Sequence, residues 1–287
     1  MDTRPFGQTG LRLSAVGLGG LLARYEGCCG QPPPEEKRRI YLRAAELGVN
    51  LFDMGYGDEV HIPPELKGNS DARCFSLKSV PRAAAELAPV VERHLANLRR
   101  DAIDILRLHR ADFARDAALR EAVAGLKEQG KVRFLCLIRH YAADQEAYAR
   151  DGSDVAADGD LVMYNYVFRG QEPGMGLAAA AGKGVLVMKA LGGQWLDWEQ
   201  QTRTDWSAAS RERVLALAPK GERLRAHLDL VHPLVAGPWQ ELAAPGEAFP
   251  PPGRAVAWVL QNPAVSSALV AFASVAELEE LVTPTTP

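Results

Sequence analysis

The sequence predicts an α/β protein built on a parallel barrel, and three observations carry that prediction. Apolar runs of strand length alternate with helix-like stretches almost throughout the chain. Eight such runs occur, most of them apolar on both faces, as a parallel sheet covered by helices requires. Three consecutive runs end in polar groups, Asp53, Lys78 and His109, which lie 25 and 31 positions apart. That is the size of one strand-plus-helix unit. A barrel would bring all three groups onto one rim, where barrel enzymes keep their chemistry.

The elements follow in order. Residues 14–20 form a buried strand ending in glycines, and 34–47 a helix stopped by Gly48. Residues 49–53 are a short apolar strand, and 74–78 the next. An amphipathic helix over 83–100 puts Leu87, Val90, Val91, Leu95 and Leu98 on one face. Strand 103–109, helix 119–129 and strand 132–138 continue the rhythm, with Gly130 ending the helix. Strands over 161–166, 184–191 and 266–271 and a last helix over 275–282 complete it. A doubly wound open sheet is the competing architecture. It would need a phosphate-binding turn after its first strand, and Gly17-Leu18-Gly19-Gly20 does not fit that glycine spacing.

One stretch breaks the pattern. About 75 residues separate Leu191 from Ser266, roughly twice an ordinary unit. Residues 192–253 are therefore expected to be an insertion after the seventh strand, covering the site as a lid. It holds Trp195, Trp198, Trp206 and Trp239 and two helix-like segments, 207–218 and 222–230. The tryptophans are expected to pack the insertion onto the barrel; direct substrate contact is the alternative.

Size and composition set the class. With 287 residues, 47% hydrophobic and 24% charged, residues 1–287 can form one barrel domain. A net charge of -3 implies no nucleic-acid partner, and no apolar stretch is long enough to span a bilayer. The first residues lack the features of a signal peptide. Four cysteines (Cys28, Cys29, Cys74, Cys136) make no disulfide framework, so a reducing cytoplasm is the expected location. Cys28-Cys29 and the histidines lack metal-ligand spacing, and no metal is expected.

Several segments in order resemble the aldo-keto reductase family. Residues 4–19 look like its opening hairpin and first strand, 44–53 its second strand and 104–109 its fourth. Residues 126–133 look like the approach to its fifth strand, 185–193 its seventh strand and 255–261 its penultimate helix. The resemblance covers nearly the whole chain and implies a (β/α)8 TIM barrel, as a short member without the cysteine-rich iron-sulfur tail. It also implies reduction of a small carbonyl compound (an aldehyde, ketone or sugar-like metabolite) by hydride from NADPH, or from NADH. Tyr56 would be the proton donor. A phenol ordinarily ionises near pH 10, and the ammonium of Lys78 beside it would lower that value. Asp53 would hold the lysine, and His109 would bind the carbonyl oxygen. Cofactor contacts are implied at Gly19, Gly20, Ile138, Arg139, Met188, Lys189, Ala190, Leu191 and Ser274.

The chain departs from the family pattern at informative places. The family spaces its aspartate and tyrosine five residues apart, whereas here Asp53-Met54-Gly55-Tyr56 places the tyrosine two residues early. Either a shortened loop still delivers the hydroxyl or the acid has been lost. The family's Ser-Asn pair for the nicotinamide carboxamide is replaced by Ile138-Arg139. Arginine only donates hydrogen bonds and isoleucine makes none, so Arg139 meets the carboxamide oxygen or, with His140, forms an anion site. The usual glycine is absent at Ala271, leaving Ser274 and the amides before Val275 for a 2′-phosphate. Taken singly, Asp53 could be a helix cap, Lys78 a solvated rim lysine, His109 a hydrogen-bonded strand end and the glycines a tight turn. Two further functions fit the fold with a degraded cofactor cleft. One is a non-redox lyase, isomerase or cyclase; the other is a catalytically silent relative.

Overall fold

The computed structural model describes residues 1–20, 32–166, 168–191, 194–196, 232–234, 242, 244–246 and 252–282. The expected helical segments 207–218 and 222–230, with Trp198, Trp206, Trp239, Cys28 and Cys29, lie outside the described residues. A hairpin opens the chain, with β1 (Thr3–Pro5) antiparallel to β2 (Arg12–Ser14). The barrel strands are β3 (Val16–Leu18), β4 (Leu51–Met54), β5 (Cys74–Lys78), β6 (Ile103–His109), β7 (Val132–Ile138), β8 (Gly159–Met163) and β9 (Gly184–Met188). Within the region expected as an insertion, β10 (Gln194–Leu196) pairs antiparallel with β11 (His232–Leu234). Strand β12 (Ser267–Val270) then closes the ring between β9 and β3. All eight barrel strands run parallel, so the open doubly wound sheet is excluded.

The described helices are α1 (Pro34–Glu46), α2 (Leu87–Leu98), α3 (Arg110–Arg115), α4 (Ala117–Glu128), α5 (Ala142–Asp151), α6 (Glu172–Ala180), α7 (Pro252–Leu260) and α8 (Val275–Val282). None is long and apolar enough to cross a membrane. Strand alternation divides the core in two. Outward residues such as Phe52, Leu77, Leu106, Leu135 and Val187 pack under the helices. Inward residues Leu51, Cys74, Ile105, Cys136, Leu161, Leu186 and Leu269 fill the barrel, and Phe6 from the hairpin joins them against the start of β8 and β9. This interior is a packed floor, so chemistry is confined to the layer above it.

Several boundaries differ from the sequence reading, each for a local reason. The seventh strand stops at Met188 because Lys189 takes a left-handed φ of 62°. The sixth begins at Gly159 and ends at Met163; Asn165 lies beyond it, its Oδ1 accepting from the Phe168 N–H at 2.9 Å. Helix α2 starts only after a 3-10 turn over Ala84–Glu86 and ends where Arg99 turns left-handed (φ 55°). Helices α3, α5 and α6 carry little helical apolar periodicity; in α5 the large buried apolar residue is Tyr148 alone.

Candidate active site

Alternation along the strands points Asp53, Lys78 and His109 into the barrel at its C-terminal end, above the apolar floor. In register, Asp53 lies beside Ser76, Lys78 beside Arg107, and His109 beside Ile138. Asp53 and His109 are buried, and Lys78 is half-buried. The three run ends thus meet at one mouth.

Tyr56 reaches the same mouth by way of a tight loop. Gly55 and Gly57, on either side of it, take φ of 98° and 93°. A side chain is disfavoured in that region by about 1–2 kcal/mol. At Gly55 there is also no room, because a Cβ would stand 2.0 Å from the carbonyl oxygen of Lys78. Glu59 clamps the turn: its Oε2 accepts the Gly57 N–H at 2.9 Å and the Gly55 N–H at 3.4 Å. Gly20 provides the space for the ring, since a Cβ there would lie 2.1 Å from Tyr56 Cδ2. The Gly20 N–H also faces Asp53 and helps pull its carboxyl down. Turned inward in this way, the phenol lies by Asp53, whose charge acts on it, and its oxygen lies 3.5 Å from Arg107 Nη1. Lys78 Nζ stands 5.6 Å from the centre of its ring.

Arg107 completes the cluster. It sits on β6 two residues before His109, fully buried, with Nη2 paired to Asp53 and donating to the Met54 carbonyl at 3.3 Å. The sequence held a signal for it. Residues 105, 107 and 109 share the inward face of one strand, and a cation between an isoleucine and a histidine there must sit inside the barrel. Burial raises the Asp53 carboxyl above the usual carboxylate range, while Arg107 and then Lys78 pull it back. Asp53 in turn raises Arg107, which stays charged.

The Tyr56 phenol moves opposite to expectation. Burial, then the Asp53 charge, raises it above its ordinary value, and the opposing cation is Arg107 rather than Lys78. Both cations lie by the ring, Lys78 Nζ at 5.6 Å and the Arg107 guanidinium at 5.9 Å from its centre, and Arg107 Nη1 also meets the hydroxyl. No sequence pattern links phenol and guanidinium; the fold couples them. His109 meets aromatic neighbours, with its ring centre 5.3 Å from Tyr141 and 6.0 Å from His140. Tyr141 is 50% exposed and forms an outer wall of the mouth.

The residues expected to hold a cofactor are placed less uniformly. Gly19 stands against β12, its N–H on the Val270 carbonyl at 2.7 Å. Ile138 ends the inner apolar cluster and Met188 packs against it. Lys189 follows in its left-handed turn, its carbonyl bonded by Asn165 Nδ2 at 3.1 Å, with Ala190 buried and Leu191 packed on the core. Arg139 is not at the mouth. Alternation turns it outward under α5, where Nε meets Asp160 at 2.8 Å and Nη2 meets Asp154 at 2.8 Å, beside the Tyr148 ring. It is 1% exposed, so the expected carboxamide or anion contact gives way to a buried ion-pair network. Ser274 caps α8, its Oγ accepting the Glu277 N–H at 3.2 Å. The amides beside it are already used. Ala273 N–H donates to Glu277 Oε2 at 2.7 Å, and Val275 N–H donates to Glu36 Oε1 at 2.9 Å.

Comparison with known proteins agrees with this architecture. The model of the Aldo/keto reductase family matches residues 78–284. An aldo-keto reductase structure from Pseudomonas aeruginosa superposes with TM-score 0.62 at 23% identity, covering 98% of this chain and 93% of that chain. Aldo-keto reductase AKR11C1 from Bacillus halodurans, in a holo form, superposes with TM-score 0.66 at 20% identity, covering 100% and 92%. These likenesses establish the fold. Among curated protein sequences no match is found. The family match spans well over half the residues, and the closed parallel barrel is the family's fold: the chain belongs to the aldo/keto reductase family and is an NAD(P)H-dependent oxidoreductase.

Proposed function

We propose that the protein reduces a small carbonyl compound to an alcohol, with Tyr56 as proton donor. The observation supporting this most strongly is the return of the Tyr56 hydroxyl to Asp53 and Arg107, at the mouth of Lys78 and His109, by a loop two residues short of the family spacing. These side chains can give a proton and hold a developing oxyanion, but none can donate an electron pair to carbon as hydride. The reacting end of the site therefore fits a reduced nicotinamide, which supplies that hydride when bound. Gly19, Gly20, Met188, Lys189, Ala190 and Leu191 would hold it, with Ile138 as an apolar wall in place of a carboxamide partner.

Each side chain has a distinct task. Tyr56 gives its proton to the carbonyl oxygen, a contribution of roughly a hundred- to ten-thousand-fold. His109 polarises that oxygen, and Lys78 stabilises the phenolate left behind. Asp53 fixes the cations around the phenol. A fluorescence titration with NADH and NADPH, followed by turnover of a panel of aldehydes and ketones, tests the reading. Binding with turnover is expected; a chain that binds neither cofactor would instead fit a non-redox enzyme or a silent relative.

The raised phenol has a consequence for pH. With its ionisation above the ordinary value near 10, Tyr56 keeps its proton throughout the neutral range. Reduction, which consumes that proton, is expected to be flat up to about pH 9 and to fall only above it. Alcohol oxidation needs the phenolate and is expected to rise with pH over the same range. Initial rates in both directions across a pH series check this.

Cofactor preference follows from α8. NADPH is the expectation from the family resemblance, but Glu36 and Glu277 cover the amides that a 2′-phosphate would use. Arg39 pairs with the other oxygen of Glu36, leaving the contact to Val275 in place. NADH is therefore expected to bind on the order of tenfold tighter than NADPH, about 1.4 kcal/mol. Glu36→Gln is expected to narrow the gap in the same titration.

A further inference from the structure

We propose that Arg107 is a catalytic residue that receives the charge left on the Tyr56 oxygen during proton transfer. The proposal rests on the reading of Tyr56 as the donor and adds to it a second cation with a different position and chemistry. Arg107 presents two arms of one planar fork: Nη2 is paired to Asp53, and Nη1 lies 3.5 Å from the Tyr56 oxygen. The fork therefore bridges carboxylate and phenol, a geometry a lysine cannot reproduce.

Burial argues against a purely structural arginine. A guanidinium with no exposure is costly unless its donors are well satisfied. Arg107 Nε is buried with no hydrogen-bond partner among the described residues. Its remaining contacts are Asp53, the Met54 carbonyl and the phenol, all belonging to the end of β4 or the loop after it. The other buried arginine, Arg139, has both Nε and Nη2 on carboxylates and no contact with the mouth. The shortened loop explains why Arg107 is recruited. With Tyr56 close after Asp53, the hydroxyl falls toward β6, where Arg107 Nη1 meets it.

A bound reduced nicotinamide would supply the hydride that forms the new C–H bond at the carbonyl carbon, its own C–H bond breaking as it is oxidised, and the carbonyl π electrons would pass to the oxygen. That oxygen takes the proton from Tyr56, whose O–H bond breaks and leaves its electron pair on the phenolate. Arg107 Nη1, a fixed cation 3.5 Å from that oxygen, needs no reorientation to meet it. Solvent returns the proton once the alcohol leaves.

The test places a polyfluorinated tyrosine at position 56, so that this phenol ionises in an accessible range, and follows it by fluorine NMR. Arg107→Gln is expected to raise its ionisation by about one pH unit or more, and Arg107→Lys to recover part of that shift. With natural Tyr56, Arg107→Gln is expected to lower kcat at least tenfold with little change in KM. Should Arg107→Gln fail to fold for want of a partner to Asp53, the comparison is made between Asp53→Asn and Asp53→Asn/Arg107→Gln. The same upward shift is expected there. A phenol whose ionisation is indifferent to Arg107 in both backgrounds overturns the proposal, even if activity falls. If Tyr56→Phe keeps full turnover, the donor reading itself fails, a result separable from indifference to Arg107.

Discussion

Tyr56→Phe is expected to lower carbonyl reduction by roughly a hundred- to ten-thousand-fold while leaving nicotinamide affinity unchanged within about twofold. The substitution removes one oxygen and keeps the ring that fills the space at Gly20. Lys78, His109 and Arg107 remain, so the carbonyl is still polarised, but no comparable donor stands beside Asp53. The loop should survive, since Glu59 and the two left-handed glycines set its course without the hydroxyl. The loss should therefore appear in kcat and be nearly absent from the binding titration and the melting temperature. Steady-state kinetics and a cofactor titration on the same preparation separate the two. Turnover within tenfold of the parent would mean that the proton comes from elsewhere.

Gly20→Ala is expected to cost about a hundredfold in kcat although it removes no chemical group. Its Cβ would lie 2.1 Å from Tyr56 Cδ2 and 2.4 Å from Cε2, so the ring must leave its seat. A phenol displaced by an ångström or more loses alignment with the carbonyl oxygen and with Arg107. Fold stability should change little, because the displaced ring lies at the partly exposed mouth rather than in the packed floor. A double-mutant cycle isolates the mechanism. If Gly20 acts through the phenol, then adding Gly20→Ala to Tyr56→Phe should cost little further kcat. Additive losses in kcat would mean that Gly20 serves some other purpose, such as close approach of the cofactor.

Much of this was legible in the chain. Runs apolar on both faces and their spacing predict the parallel barrel, and the polar run ends predict that Asp53, Lys78 and His109 share a rim. Strand periodicity carries that information because one face of each strand must fill the barrel. The helices are legible where a broad apolar stripe exists, as in α2 and α4, and not in α5, where Tyr148 alone is the large buried apolar residue, nor in α6, which buries Gly174, Met175 and Ala178. Arg139 departs from its expected contact because a family position carries no facing. One register step separates the inward Ile138 from the outward Arg139, and that step decides between the mouth and an ion pair with Asp160. Arg107 was overlooked for the converse reason: it lies inside an apolar strand, where a cation is unexpected unless its partner, Asp53, arrives from another strand. The roles of Gly20 and Glu59 depend on contacts with Tyr56 and its flanking glycines that no local pattern encodes. Nor could Glu36 be linked to the amide of Val275, 239 positions away, before the barrel closed.

Label transfer from deuterated reduced nicotinamide to an activated aromatic aldehyde, followed by mass analysis of the alcohol, addresses the chemistry of this mouth directly. Deuterium bonded to the carbinol carbon, formed by the parent protein and nearly abolished in Tyr56→Phe, is the outcome the geometry predicts. Alcohol without label, or labelled alcohol formed equally fast without the Tyr56 hydroxyl, would contradict it.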